Sequence, residues 1–252
     1  MVYAYDGTFP GFLSVVYAAY HDGTGQVEGI RRETEPQDLF YEEKWISTDF
    51  GHAQKVASSF YERCGRVASQ WLYRGFLFDG ASGENVLFSY MKLGFRLRKE
   101  VYAHRMEDPV WQVFQWASAA GDEAGKFLGL VRFSELAEGT LYAEIRPTHD
   151  IVPLLANHFR RRLGNRPWAI HDIGRRHVVY CDGKSLVFAN MTAQDTLEYS
   201  SQEMKFRKLW QGYYQHMAIQ ERYNPALRRS FMPEKYWECL TEMQVERPKV
   251  KG

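Results

Sequence analysis

The stretch LYAEIRPTHDIVPLLANHFRRRLGNRPWAIHDIGRRH, Leu141 to His177, sets four histidines, a run of arginines and two aspartates among regularly spaced apolar positions. Leu141 to Ile145 alternates apolar and polar residues and reads as a strand. Beyond Pro147 the spacing of Ile151, Leu154, Leu155 and Phe159 becomes helical and predicts a helix from about Asp150 to Leu163. Alternation returns over Pro167 to Ile173, and Gly174 marks a turn into His177.

Working outward, Phe127 to Phe133 alternates and Ala137 to Thr140 makes a turn, so a β-hairpin leads into the stretch. On the far side, His177 to Cys181 and Leu186 to Ala189 form two more strands around Asp182-Gly183. The order is ββαβββ, read as an antiparallel unit. From about Thr196 two helices close the chain, one striped by Phe206, Leu209, Trp210, Tyr213 and Met217, the other holding Pro233, Tyr236, Trp237 and Leu240.

The N-terminal half reads as mainly helical. Asp6 or Thr8 can cap a helix that starts near Pro10, and Asp49 caps another through Phe50, Val56, Phe60 and Cys64. Further helices continue after Gly65, begin at Gly83-Glu84, and begin again at Asp108-Pro109. Ile30 to Ile46 stays open between a loop, a short helix and an edge strand. The fold class is therefore α+β, with regions 1–125 mainly helical, 126–246 carrying the sheet and closing helices, and 247–252 a basic tail.

With 252 residues, 45% of them hydrophobic and 15% aromatic, the chain can bury a substantial core. A net charge of +1 removes any global electrostatic case for a polyanion, so such a case rests on local clustering. Cys64, Cys181 and Cys239 are far apart without CxxC spacing, which argues against a disulfide framework, a zinc ribbon or an iron–sulfur cluster and for a reducing cytoplasm. No apolar run is long enough for a membrane span, and no cofactor fingerprint of the GxGxxG or GxxxxGK[ST] type is present.

One basic cluster stands out: Arg160, Arg161 and Arg162 at a helix end, then Arg166, Arg175 and Arg176, opposed only by Asp172. A helix dipole favours cations at its C-terminus, and phosphate binding favours clustered guanidinium forks, so both readings fit the same residues. Period two puts Trp168, Ile170 and Asp172 on one side of their strand, where the carboxylate needs a partner from Arg175 or Arg176, or else serves as a general base. Asp150 or Thr148 reads as a helix cap. His158 reads as a hydrogen-bonded core residue, and the nine-residue spacing from His149 disfavours a shared metal. Arg222 and Tyr223 beside Asn224-Pro225 form either a plain turn or a corner that holds a base or phosphate.

Tyr5-Asp6-Gly7-Thr8-Phe9, Gly129-Leu130-Val131-Arg132-Phe133, Pro147 with His149 and Asp150, and Pro167-Trp168 with Ile170, Asp172 and Arg175 recur as blocks of one bacterial family. Arg222 with Asn224-Pro225, and Met232-Pro233 with Tyr236-Trp237, Leu240, Thr241 and Glu242, continue the pattern. The chain resembles a family of DNA repair or DNA metabolism without an established activity. Its members are typically encoded beside a radical S-adenosylmethionine protein or fused to a uracil-DNA-glycosylase-like domain. The resemblance implies a DNA partner and a separate enzyme that supplies the chemistry; it supplies no catalytic residues.

The leading expectation is a DNA-binding accessory protein without its own catalysis, contacting phosphate through Arg161, Arg162, Arg166, Arg175 and Arg176 with Trp168, Arg222 or Tyr223 nearby. The first alternative is a base- or nucleotide-directed hydrolase using Asp172, Asp150 and His149 as acid and base. The second is a protein-interaction scaffold presenting its aromatic C-terminal helices.

Overall fold

The computed structural model describes residues 1–21, 27–36, 41–79, 83–191, 198–200, 202–217 and 225–244. The protein is α+β, with a three-stranded and a five-stranded sheet among the described residues. The chain divides into two compact units, Met1–Ala120 and Gly121–Gly252.

In the first unit, β1 (Val2–Tyr5) lies between β2 (Gly29–Arg32) and β3 (Glu43–Trp45), parallel to both. This small sheet is absent from the helical reading because each strand has four residues or fewer, too short for alternation to register. Helix α1 (Phe9–His21) follows β1 directly. Thr8 Oγ1 accepts from the Gly11 amide, while Asp6 accepts from Thr8 and from the Thr48 hydroxyl, so one short loop closes the helix start. A Cβ at Gly11 would collide with the Asp6 carboxylate, which explains glycine there. Helix α2 (Phe50–Phe76) is capped by Asp49, which accepts from the His52 amide at 2.8 Å, and kinks at Gly65, where φ is 83°. Helix α3 (Glu84–Leu97) and a 3₁₀ segment at Arg98–Ala103 complete the unit with the first part of α4 (Asp108–Leu130).

Helix α4 runs to Leu130, so the expected strand over Phe127–Phe133 is replaced by helix, and the hairpin keeps only β4 (Ser134–Glu135) before β5 (Leu141–Ile145). Phe127 is buried from the helix, and spacing of four from Glu123 suits that equally well, since a short apolar alternation does not separate the two periods. The sheet order is β4-β5-β6-β7-β8, with β6 (Trp168–Asp172), β7 (His177–Cys181) and β8 (Leu186–Asn190). The five strands of the ββαβββ unit are expected to be antiparallel throughout, yet β5 and β6 run parallel, Leu141 opposite Trp168 and Ile145 opposite Asp172. The intervening helix α5 (Val152–Leu163) supplies the crossover that a parallel pair requires.

One face of this sheet packs Ala143, Ile145, Trp168, Ile170 and Val179 with Leu155 and Phe159 of α5. Trp168 is fully buried against Phe133 and Phe159, so it cannot stack on a nucleic-acid base as expected from its sequence neighbourhood. The opposite face carries Tyr142, Ala169 and Val178, with the Tyr142 hydroxyl 2.6 Å from His171 Nδ1.

The closing helices also differ from expectation. Along α6 (Glu203–Met217), Phe206, Leu209, Trp210 and Tyr213 are exposed, not buried as an apolar stripe. The inward anchor is polar: buried Glu203 accepts from the Glu135 amide and from Arg207, whose other nitrogen donates to Ser134 Oγ. After α7 (Pro225–Phe231), the segment expected as one helix forms two 3₁₀ turns, Glu234–Cys239 and Thr241–Met243, which bury Tyr236, Leu240, Glu242 and Met243. Glu242 is held by Arg132 and by the Trp210 indole N–H at 3.0 Å. Among the described residues no helix is long and apolar enough to cross a membrane.

Candidate functional site

The parallel pair β5 and β6 ends at Ile145 and Asp172, and the loop Arg146–Ile151 passes directly outside those carboxyl ends before α5 begins. Glu123, on the buried stripe of α4 with Ala120, Ala124 and Phe127, organises that loop. One of its oxygens accepts from the Thr148 amide at 2.8 Å and from the Tyr236 hydroxyl at 2.5 Å; the other accepts from the His149 amide at 2.8 Å. Burial raises the carboxyl's proton affinity, yet these three donors outweigh it and hold Glu123 below the ordinary carboxylate range. Lys235 donates to Thr148 Oγ1 and lies 3.7 Å from Glu123.

Asp172 closes the cluster from β6. It is fully buried, accepts from the amides of Gly174 and Arg175, and accepts a hydrogen bond from Arg175 Nη1 at 2.9 Å. Arg175 then reaches back to the carbonyl oxygens of Pro147 and Thr148. This is the structural ion pair anticipated from the period-two pattern, with Arg175 as the partner. Arg175 is thereby committed inward and withdrawn from the expected phosphate-contacting set.

Asp150 does not cap α5, and neither does Thr148: the N-cap is Ile151 without a side-chain bond, and Pro153 in the first turn removes one amide that would need capping. Asp150 Oδ2 instead lies 3.3 Å from His177 Nδ1, at the start of β7 opposite Asp172. The Asp150 hydrogen bond raises the His177 pKa against the opposing effect of burial. Asp150 Oδ1 is buried without a hydrogen-bond partner. His149 is buried beside this pair in sequence, while His158 sits within α5 with its Nε2 buried and lacking a hydrogen bond, not satisfied as expected. Asp150, Asp172 and His177 thus share one edge of the sheet, and His158 does not join them. Among the described residues no group of His, Cys, Asp and Glu is arranged to hold a metal ion.

The arginines divide. Arg161 and Arg162 occupy the last turn of α5 and Arg166 the turn into β6, all exposed, with Arg166 3.8 Å from Glu135. Arg176, exposed and at φ 61°, lies past the carboxyl end of β6. The five residues of β6 therefore separate the two groups by roughly 16 Å at about 3.3 Å per residue. The single basic patch expected from sequence proximity becomes two, because a strand carries its ends apart. Arg222 and Tyr223 lie outside the described residues.

Glu123, His177, Lys235 and Tyr236 enter the cluster without having been singled out. For Glu123 a signal existed: it stands on the apolar stripe of its own helix, three residues after Ala120 and four before Phe127. For Lys235 and Tyr236 none did, since they reach the loop from more than eighty residues away.

Together these features define a class: an α+β protein with one βαβ crossover in a mixed sheet and its polar residues gathered outside the carboxyl ends of the parallel strands. Within that class the chain belongs to the DUF4130 family, a domain of unknown function whose model matches residues 81–242. No curated protein and no solved structure matches it. The matched span contains every member of the cluster from Glu123 to Tyr236.

Proposed function

We propose that this protein binds DNA through the exposed arginines at the end of α5 and acts beside a separate enzyme, a radical S-adenosylmethionine protein, that carries out repair or modification of a base. The observation that supports the reading is the state of Arg160, Arg161 and Arg162. All three are exposed on the last turn of α5 and have no ion-pair partner among the described residues, with Arg166 following in the next turn. Guanidinium groups already spent on carboxylates, as Arg175, Arg132 and Arg207 are, contribute little to a phosphate. The free ones remain available to it.

The expected result is measurable by mobility shift at several salt concentrations. The double variant Arg161→Ala/Arg162→Ala weakens duplex binding equally across sequences and lowers the slope of log affinity against log salt by about 1 for each arginine. Thermal stability stays within about 0.5 kcal/mol, because both side chains are on the surface. No wild-type binding at low salt, or an unchanged slope, rejects the reading.

A second reading, a base- or nucleotide-directed hydrolase, is favoured by the Asp150–His177 pair. An aspartate against Nδ1 orients an imidazole so that its other nitrogen can take or give a proton, and the His177 side chain is 44% exposed. Release of free base from a deoxyuridine-containing single strand tests it. Activity that falls about 10²-fold or more in Asp150→Asn supports it, and wild type that releases no base removes it.

A further inference from the structure

We infer that the first unit carries a separate binding groove for a nucleoside phosphate, with the base against Tyr20 and Phe95 and the phosphate between Lys55 and Arg63. This inference does not rest on the arginines of α5. The groove runs between α1, α2 and α3, encloses about 340 Å³ and is lined mostly by apolar surface, a size that suits a small ligand.

Its chemistry is selective. Lys55, Ser59 and Arg63 stand at intervals of four on α2 and form one column, so the two cations lie about 12 Å apart along the helix. Among the described residues no carboxylate lines the groove and neither cation has an ion-pair partner. Arg63 is held over the Phe95 ring at 5.7 Å, which positions its guanidinium without neutralising it. The aromatic side is equally ordered. Tyr20, 52% exposed, meets Phe88 and Phe95 edge-on at 6.3 and 5.8 Å, leaving much of its ring open.

Beside it, Tyr17 is stacked between His21 at 4.0 Å and His52 at 3.8 Å. His21 Nδ1 is 2.8 Å from the Tyr17 carbonyl, which can only accept, so Nδ1 donates, and in the tautomer that makes this bond Nε2 is an acceptor. An amino group on a base is the donor such an acceptor would read. Aromatic faces beside unpaired cations, with one defined acceptor, suit a planar anionic ligand better than a purely apolar or purely charged one. A free nucleotide and a nucleotide within a single strand share this chemistry.

Titration calorimetry of the full chain with adenosine 5′-monophosphate, adenosine, inorganic phosphate and a five-residue oligodeoxyadenylate tests the assignment. The monophosphate should bind more tightly than adenosine or phosphate. Arg63→Ala and Lys55→Ala should each weaken it on the order of tenfold, and Tyr20→Ala should weaken adenosine as well. Arg161→Ala/Arg162→Ala should leave it unchanged, which separates this site from the proposed DNA surface. Tighter binding of the oligonucleotide identifies a strand as the source of the ligand, and tighter binding of the monophosphate identifies a free nucleotide. Monophosphate binding no stronger than that of phosphate, or unaltered by both cation variants, overturns the proposal. Should Arg63→Ala melt early, Lys55→Ala carries the test, since Lys55 is exposed.

Discussion

Asp172→Ala destabilises the protein by about 3 kcal/mol, measured as a shift of the urea midpoint at constant slope. The carboxylate is fully buried and accepts three hydrogen bonds, two from the turn amides at Gly174 and Arg175 and one from the Arg175 guanidinium. Removing it leaves those donors inside the protein, and a cation whose carboxylate has gone costs more than the pair was worth. The expected loss sits at the low end of the range for a broken buried pair because the Arg175 side chain keeps 19% of its surface in water. Arg175→Ala should cost less, since the two amides still bind Asp172, and the double variant should cost less than the sum of the singles. A loss below about 1 kcal/mol for Asp172→Ala would show that water satisfies the turn and that the pair is not structural glue.

Glu123→Ala costs a similar amount, about 3 kcal/mol, through a different route. It strands the Thr148 and His149 amides and the Tyr236 hydroxyl, so the loop outside β5 loses its hydrogen bonds to Glu123 of α4. Glu123→Gln should recover part of the loss, because its amide oxygen can replace one acceptor and its NH₂ group none. The pH dependence follows from the same bonds. Glu123, Glu203 and Glu242 are all shifted below the ordinary carboxylate value of 4.5 in the folded protein. Each therefore adds stability that is present above the unfolded pKa and disappears as pH falls through the folded one. His177 has the opposite sign: its raised pKa adds stability below the unfolded value that disappears as pH rises through the folded one. Urea midpoints measured downward from pH 7 should fall in the acid range, and Glu123→Ala should flatten that fall. An identical acid slope in the variant would remove Glu123 from the explanation.

The Asp172 pair was legible from local pattern alone. Period two assigns Trp168, Ile170 and Asp172 to one side, and a carboxylate among apolar residues there needs Arg175 or Arg176 across the turn unless it serves as a general base. The same pattern carried no warning that Trp168 would be sealed under Phe159, since it follows Arg166 and Pro167 in sequence while its neighbours in space come from α5 and from Phe133. Nor could it show that Phe206, Leu209, Trp210 and Tyr213 face outward. Helical spacing reports which residues share a face, and the inward anchor of α6 is the Glu203–Arg207 pair.

By itself the chain's order of residues determined the helix starts at Thr8 and Asp49, the strand positions from Leu141 to Ala189, and the α+β class. These depend on contacts within a few residues, where side-chain spacing and backbone preference act directly. Tertiary structure alone decided that β5 and β6 run parallel, that the arginines fall at opposite ends of β6, and that Glu123, Lys235 and Tyr236 meet around one loop. Strand direction and burial are set by surfaces that approach across tens of residues, and free energy gained there leaves no mark on local spacing.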